Sequence, residues 1–317
     1  MFPMIEMLKS IDSVRLNLST EAGHFINIAL ALIMFGVSLG IKMKDFKDIF
    51  SAPKLPIIGF LSQFFILPFI TFLVVVSIRN YITPTIGMGM ILVAACPGGN
   101  ISNFMSSLAR ANAALSVMLT ALATISALIL TPFNFSFWGT MYIKSFHHNS
   151  TELIQNIVVN PIDVFRTVFI LLGIPLTLGM MVNHFFPVIT KRIAKPIRIF
   201  SIIIFIAMVV GLLQKNMDHF MSYIKYIFII VFFHNILAFL SGYFFATIWK
   251  IKGKNRRTIT IETGIQNSGL AIVLLINPHI FTSEMAIGGM AFIAAWWGVW
   301  HIVSGLALAG YWSFRRH

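Results

Sequence analysis

Nine long hydrophobic stretches divide this chain of 317 residues, and short polar segments separate them. A helix that crosses a bilayer needs roughly 20 predominantly apolar residues, and most of the stretches reach that length. The pattern therefore predicts nine transmembrane helices, at 24–41, 56–78, 85–109, 112–132, 164–183, 197–214, 223–248, 258–276 and 285–311. The expected fold class is an all-α polytopic membrane protein.

Polar and helix-disrupting residues interrupt two of these spans, the third and the eighth. Positions 96–103 read CPGGNISN, and positions 262–269 read ETGIQNSG. Unwound backbone survives within a bilayer only where protein buries it or where it lines a cavity, because every unpaired amide there is energetically costly. A pair of interrupted spans, one in each half of the chain, indicates the binding site of a secondary transporter.

The two halves around 133–162 run in opposite directions when their breaks are aligned. The third span then lies opposite the eighth. The third span begins outside the membrane and the eighth begins inside, so the chain reaches the two breaks from opposite sides. This predicts a 4+5 inverted repeat in which two discontinuous helices cross. We expect 133–162 to be an extracellular linker whose aromatic residues lie at the outer interface. A metal site at His147 and His148 is disfavoured, because nothing nearby completes a ligand set.

The distribution of charge predicts how the chain lies in the membrane. Only 10% of the residues are charged, whereas soluble domains carry about 25%. Of the 23 Lys and Arg residues, 16 fall on one side of the predicted spans and 7 on the other. By the positive-inside rule the N-terminus lies outside and the C-terminus in the cytoplasm. Topology and contact with anionic lipids then account for the net charge of +13, and no nucleic-acid partner is expected.

The N-terminal segment, 1–21, is too polar for the apolar core of a signal peptide. We therefore expect an extracellular N-terminal segment without a cleaved leader, on a protein of the plasma (inner) membrane. Cys96 is the only cysteine, so no disulfide forms within one chain. No obligatory protein partner is evident.

Glu262 is the one acidic residue among ten that falls within a predicted span. Such a carboxylate either pairs with a cation, for which Arg256 and Arg257 are the nearby candidates, or has a functional role. The oxygen-bearing residues that follow it favour a sodium site over a simple proton carrier, because a proton needs only one titrating group. In the third span, free N–H groups after the Pro-Gly-Gly break would attract an anion. In the fourth span, Ser116, Thr120 and Thr124 share one helical face.

Residues at the breaks and in several other spans resemble those of the bile acid:sodium symporters, in their nine-helix form. The matching segments are LIMFGVSL at 32–39, QFFILP at 63–68, CPGG at 96–99 followed by Ser102 and Asn103, ALSV at 114–117, ETGIQN at 262–267 and WH at 300–301. Together they extend over nearly the whole chain. Two departures fall on the substrate side: Asn100 stands where many relatives have Thr, and Ile302 where they often have Asn.

The resemblance implies a transporter with two domains. A core of spans two to four and seven to nine, at 55–132 and 221–312, would move against a panel of spans one, five and six, at 22–50 and 163–214. It also implies two sodium ions. The residues expected to hold the first are Ser102, Asn103, Ser116, Thr120 and Glu262. Those expected to hold the second are Gln63, Glu262, Thr263, Ile265 and Gln266. Substrate would lie near Asn100, Asn267 and His301.

The expected function is sodium-coupled import of organic anions, such as bile acids or smaller carboxylates, by alternating access. Two sodium ions and one glutamate leave a single positive charge, which a monoanion would cancel. The alternative is a proton-coupled carrier or an exporter of organic anions on the same fold, with Glu262 titrating. A membrane enzyme is not expected, because the chain has neither a His-Glu-x-x-His motif nor a Ser/His pair with an orienting acid.

Overall fold

The computed structural model describes residues 8, 10–13, 20–40, 53–146, 161–215, 217–277, 280–281, 285 and 287–314. Within these residues the regular elements are helices, apart from one isolated β-bridge. Numbered along the chain, the helices are α1 Thr20–Ser38, α2 Lys54–Ser77, α3 Pro84–Ala95, α4 Ile101–Leu108, α5 Ala113–Lys144, α6 Ile162–Phe185, α7 Pro187–Lys215, α8 Met217–Ile248, α9 Gly253–Gly264, α10 Ser268–Leu275 and α11 Gly288–Phe314.

Five of these helices are long and apolar enough to cross a bilayer unaided, namely α2, α5, α6, α8 and α11. The shortest of them has 24 residues, and about 20 residues suffice at a rise of 1.5 Å per residue. The chain is therefore an all-helical polytopic membrane protein, as predicted. Helices α3 and α4 make up the third predicted stretch, and α9 and α10 make up the eighth.

Most helix boundaries agree with the predicted spans to within a few residues. The exceptions are α5, which continues to Lys144 although its span was predicted to end at 132, and the starts of α7 and α8. Helix α7 begins at Pro187 instead of 197, and α8 at Met217 instead of 223. All three helices run past the length that the bilayer requires, so a rule based on bilayer thickness shortened them.

The extension of α5 contains the aromatic residues after Pro132, whose expected position at the outer interface stays a prediction. Within the protein, Phe137 is 45% exposed, whereas Phe135 and Tyr142 are fully buried. The ring of Trp138 packs 5.0 Å from that of Phe72 in α2. These rings serve helix packing, because the face of α5 that contacts α2 and α3 simply continues. His147 and His148 lie outside the described residues.

The helices differ in which neighbours cover them. Helix α1 packs against α6 and α7, whereas α11 packs against α3, α8 and α10. The short helix α10 lies between α11 and the pair α1 and α6, and its side chains are at most 2% exposed. The other short helix, α4, packs on α5, α9 and α11, and its Phe104 is 61% exposed. One half-helix is therefore enclosed and the other is open on one face.

A π-helical turn, Ser62–Ile66, interrupts the regular winding of α2 just before Pro68. Proline has no N–H group, so the carbonyl of Phe64 loses its usual helical donor. Asn134 of α5 replaces that donor, with its Nδ2 2.9 Å from the Phe64 oxygen. The widened turn directs two successive side chains, Ser62 and Gln63, toward α9.

A short 3₁₀ helix, Ser10–Ser13, precedes α1 and is anchored on other helices. Its Ile11 is fully buried. Ser10 Oγ lies 2.6 Å from the hydroxyl of Tyr223 in α8, and Thr85 in the first turn of α3 donates a hydrogen bond to Asp12. This segment therefore fastens the start of the described chain to α3 and α8.

Candidate functional site

The breaks in the two interrupted stretches lie side by side and bond to each other through the backbone. Gly99 N donates to the carbonyl oxygen of Ile265 at 2.8 Å, and Asn267 N donates to that of Pro97 at 2.8 Å. Backbone groups that lose their helical partners at one break thus find partners at the other. The four half-helices α3, α4, α9 and α10 consequently meet at one point.

Gly98 makes this close approach possible. It faces Gln266 in the isolated antiparallel bridge. A Cβ atom placed on Gly98 would lie 2.5 Å from Nε2 of Gln63 and 3.3 Å from Oε2 of Glu262. A side chain here would displace the buried amide of Gln63 from the carbonyl of Glu262, so the close approach favours glycine for reasons of space.

Glu262 lies in the last turn of α9 and is 1% exposed. Three hydroxyl groups donate hydrogen bonds to its carboxylate. Ser102 Oγ lies 2.6 Å from Oε1, Ser116 also donates to Oε1, and Thr120 Oγ1 lies 3.2 Å from Oε2. Because Ser102 belongs to α4 and the other two belong to α5, the carboxylate joins both interrupted stretches to a third helix.

Among the described residues, no basic side chain neutralises Glu262, and its interactions are with hydroxyl groups. The two arginines of α9 make other contacts. The guanidinium of Arg256 lies 4.3 Å from the centre of the Tyr243 ring, and Arg257 donates to the carbonyl of Ala109 at 3.1 Å. The pairing of Glu262 with either arginine, which the sequence allowed, is therefore absent. An ionised carboxylate in this environment needs a cation from solution.

Asn103 and Thr124 differ in their relation to this cluster. Thr120 Oγ1 lies 3.3 Å from Oδ1 of Asn103. Asn103, which belongs to α4, therefore lies next to the hydroxyl groups that bond Glu262. Thr124 instead donates to the carbonyl of Thr120 at 2.7 Å and so bonds its own helix. The five residues predicted for the first ion therefore lie together, and Thr124 does not join them.

Side-chain amides supply donors to the carbonyl groups at the end of α9. The last four carbonyls of a helix have no partner within it. Ile261 O accepts from Ile265 N at 3.0 Å, and the next three accept from amide side chains. These bonds are Gln63 Nε2 to Glu262 O at 3.2 Å, Gln266 Nε2 to Thr263 O at 2.8 Å, and Asn235 Nδ2 to Gly264 O at 2.8 Å.

The side-chain oxygen of Gln266, Oε1, is buried and has no hydrogen-bond partner among the described residues. An unpaired buried acceptor costs about 1–3 kcal/mol, so such an atom calls for a partner, such as a water molecule or an ion. It belongs to the cluster predicted for the second ion, in which Gln63 and Gln266 lie against the carbonyls that follow Ile261. A cation here would give this oxygen a partner.

The three residues predicted to bind substrate lie around the crossing in different environments. Asn267 Oδ1 accepts from Leu270 N at 3.1 Å and thereby caps α10. Asn100 is exposed at the start of α4 and makes no capping bond. His301 of α11 is 6% exposed, with Nδ1 2.5 Å from the carbonyl of Trp297. Of the three, Asn100 is the one that faces open space.

Three polar residues that the sequence analysis did not single out support the crossing. Ser62 Oγ lies 2.8 Å from Oγ1 of Thr263, and Ser304 Oγ of α11 donates to Oδ1 of Asn235. Asn235 and Ser304 lie in hydrophobic spans, where a polar side chain is costly unless it is paired. That cost is the signal in the sequence that would have identified them.

The side chains and backbone atoms that meet here form a set of hard oxygen donors. They comprise one carboxylate, several hydroxyl and amide oxygens, and unwound carbonyls at a helix end. Oxygen donors of this kind suit alkali and alkaline-earth cations, whereas soft or transition metals prefer sulfur and imidazole. A single carboxylate in a membrane interior favours the lower charge of a monovalent ion. The residues present therefore fit sodium.

Comparisons with known proteins show which family and which relatives this chain resembles. The sequence profile described as the Sodium Bile acid symporter family matches residues 27–223. The chain is 31% identical over 300 residues to the uncharacterized sodium-dependent transporter YocS of Bacillus subtilis, covering 94% of this chain and 85% of that protein. It is 30% identical over 288 residues to the probable sodium/metabolite cotransporter BASS1, chloroplastic, of Arabidopsis thaliana, covering 90% and 66%. It is 29% identical over 296 residues to the ileal sodium/bile acid cotransporter of Oryctolagus cuniculus, covering 89% and 80%.

Proposed function

We propose that this chain imports an organic anion together with two sodium ions. The chain belongs to the Sodium Bile acid symporter family, and it is a sodium-coupled transporter and not an enzyme. The observation that carries the proposal is the position of Glu262. Its buried carboxylate lies where the two interrupted stretches meet, accepts hydrogen bonds from hydroxyls of α4 and α5, and has no basic partner among the described residues.

The first sodium ion would be held by Ser102, Asn103, Ser116, Thr120 and Glu262. The hydroxyls that now donate to Glu262 can rotate and offer their lone pairs to a cation, while the carboxylate neutralises its charge. The second would be held by Gln63, Gln266, Glu262 and the backbone carbonyls of Thr263 and Ile265. The unpaired Oε1 of Gln266 supports this second position.

The charge of the site favours an anionic substrate. Two sodium ions and one carboxylate leave one positive charge, and a monoanion would cancel it. The N–H groups at the start of α4 favour negative charge as well, because the helix dipole is positive at that end. Asn100 at this helix start is exposed and can contact the substrate, with Asn267 and His301 as further contacts.

The substrate belongs to the class of bile acids or smaller carboxylates. The rabbit relative is a sodium/bile acid cotransporter, and the Arabidopsis relative is a probable sodium/metabolite cotransporter. Asn100 and Ile302 replace residues that are common in the family, so we expect the preferred anion to differ from that of the bile acid carriers. Ile302 and Ile101 both pack against the same buried apolar cluster, which includes Met105 and Ile265.

Transport would proceed by alternating access between a core of spans two to four and seven to nine and a panel of spans one, five and six. The nine spans would form an inverted repeat with the N-terminus outside and the C-terminus in the cytoplasm. The unequal cover of the half-helices supports this, because α1 and α6 enclose α10 while α4 is open on one face. Since α4 leads toward the basic, cytoplasmic side, the described conformation would face inward.

The test is uptake into proteoliposomes that contain the purified protein. A radiolabelled bile acid, taurocholate, and a panel of labelled short carboxylates are offered under an imposed sodium gradient, with potassium as the matched control, and separately under an imposed pH gradient. We expect accumulation of at least one anion with the sodium gradient alone. Accumulation driven by the pH gradient without sodium would instead establish the proton-coupled alternative, with Glu262 as the titrating group.

A further inference from the structure

Asn235 is a fully buried amide that joins three helices at the crossing. It lies on α8, its Nδ2 donates to the carbonyl of Gly264 at 2.8 Å, and its Oδ1 accepts from Ser304 Oγ on α11. The orientation of the amide follows from its partners, because a carbonyl oxygen only accepts and therefore must face Nδ2. Both ends of the side chain are thus committed, one to the end of α9 and one to α11.

The surroundings of this bond are tightly packed. A Cβ atom added to Gly264 would lie 2.1 Å from Phe239 of α8, and one added to Gly242 would lie 2.9 Å from Thr263. Asn235, Phe239 and Gly242 follow one another at intervals of four and three residues and so form one stripe along α8. This stripe holds the last turn of α9 against α8, and Asn235 is its polar end.

The carbonyl that Asn235 holds has a special position. Gly264 is the last residue of α9, and its carbonyl belongs to the peptide group that continues into Ile265. The orientation of this peptide group sets the direction in which the chain leaves the helix. The carbonyls of Thr263 and Ile265 belong to the peptide groups on either side of it, so the directions in which they point depend on it. A shift of about 1 Å in the oxygen atoms that bind an ion is enough to weaken the site, so these atoms require rigid support from neighbouring residues.

We propose that Asn235 is a positioning residue for sodium, which sets the affinity of the second ion site by fixing the Gly264 peptide while contacting no ion itself. The inference rests on the proposed function. Ser304 acts behind it, because its hydroxyl keeps the amide from turning over. Neither residue belongs to the sets of side chains assigned above to the ions or to the substrate.

The test measures sodium affinity without any substrate, from the melting temperature of the purified full-length protein as sodium replaces potassium at constant ionic strength. Asn235→Leu removes both hydrogen bonds with a side chain of similar branching but larger volume, and should raise the half-saturating sodium concentration about tenfold. Ser304→Ala, which leaves the bond to Gly264 in place, should raise it only about two- to threefold.

Thr71→Val is the matched control. Thr71 Oγ1 lies 2.9 Å from Nε2 of His234, the residue before Asn235, and both side chains are buried. This substitution removes a buried hydrogen bond to the same helix without touching the crossing. It should lower the melting temperature in potassium while leaving the half-saturating sodium concentration unchanged.

The outcomes separate the two proposals. A wild-type protein whose melting temperature does not respond to sodium would overturn the proposed function. A normal wild-type response together with an unchanged half-saturating concentration in Asn235→Leu would overturn the role of Asn235 alone, and would show that its bonds only stabilise the fold. If Asn235→Leu does not yield folded protein, the milder Asn235→Ser decides the matter by the same measurement, because serine is too short to hold both partners.

Discussion

Ser102 donates a hydrogen bond to the carboxylate of Glu262 at 2.6 Å, although 160 residues separate them in the sequence. Ser102 follows the first break, at the start of α4, and Glu262 precedes the second break, at the end of α9. The bond therefore reports directly on whether the two interrupted stretches are correctly assembled. Among the described residues, Glu262 supplies the carboxylate of the crossing, and the hydroxyls that donate to it come from α4 and α5.

The carboxylate of Glu262 is expected to be essential for sodium-dependent binding. Glu262→Ala should abolish the dependence of substrate binding on sodium, and Glu262→Gln should weaken sodium binding at least about a hundredfold, since the negative charge is lost while the volume is kept. Binding of a labelled anion to purified protein in sodium and in potassium measures this. Uptake by the alanine variant with wild-type sodium dependence would show that the ion sites lie elsewhere.

The spacing of hydroxyl groups on α5 leads to a second prediction. Ser116→Ala removes an oxygen that bonds Glu262, whereas Thr124→Val removes a hydroxyl that bonds only the carbonyl of its own helix. The half-saturating sodium concentration should rise about tenfold in the first variant and stay unchanged in the second. Sodium-dependent shifts in melting temperature compare the two. Equal effects would mean that this face of α5 acts through helix packing.

Much of this arrangement was accessible from the sequence because membrane helices obey a simple length rule and because broken helices need polar or flexible residues. The breaks at 96–103 and 262–269 were found in this way, and the residues around Glu262 that were predicted to meet do meet. The sequence did not show which helices are neighbours in space. The backbone pairing of Gly99 with Ile265, the widened turn at Ser62 and the bond from Asn235 to Gly264 each depend on which helices are neighbours.

The length rule also has a physical limit, and α5 illustrates it. The bilayer requires a minimum of apolar residues, but it does not end a helix that protein continues to bury. Phe135 and Tyr142 remain packed against neighbouring helices, so α5 continues to Lys144. The length rule therefore placed the end of this helix too early, at 132.

Gly98 is expected to tolerate no side chain. In Gly98→Ala the new Cβ would lie 2.5 Å from Nε2 of Gln63, which would have to leave the carbonyl of Glu262. Sodium affinity should fall about tenfold or more, because one oxygen-bearing side chain of the second ion site is displaced. Sodium titrations of the melting temperature provide the measurement.

Gly310→Ala is the control for this substitution. A Cβ atom on Gly310 meets nothing within 4 Å, and the residue lies inside α11. Alanine is favoured over glycine within a helix by up to about 1 kcal/mol, so this variant should be as stable as the wild type or slightly more stable. Its sodium affinity should be unchanged. A similar loss of affinity in both variants would assign the effect to helix flexibility and not to crowding at the crossing.

The anchor at the start of the described chain predicts a dependence of stability on pH. Burial raises the pKa of Asp12 above its ordinary value, and the hydrogen bond from Thr85 opposes this only in part. The folded protein therefore keeps a proton at a pH where the unfolded chain has released it. The resulting stabilisation is complete below the unfolded-state pKa and is lost as pH rises through the raised pKa.

Asp12→Asn separates this effect from other titrating groups. The amide keeps the oxygen that accepts from Thr85 but carries no charge at any pH. The melting temperature of the variant minus that of the wild type should therefore increase as the pH rises from the unfolded-state pKa through the raised folded-state pKa of Asp12. Melting curves at several pH values measure this difference. A constant difference would mean that Asp12 has the same pKa in the folded and unfolded chain.

The ratio of ions to substrate determines whether transport moves charge. Two sodium ions with one monoanion carry a net positive charge inward, whereas one sodium ion with one monoanion carries none. Each net charge gains roughly 2.3 kcal/mol per 100 mV of membrane potential, so an interior-negative potential should raise accumulation about fiftyfold per 100 mV. Proteoliposomes with a potassium gradient and valinomycin, at equal sodium on both sides, isolate this contribution. Accumulation driven by the potential supports two ions. Its absence would show that a single sodium ion binds, at Glu262, and that the carbonyls near Gln266 have a purely structural role.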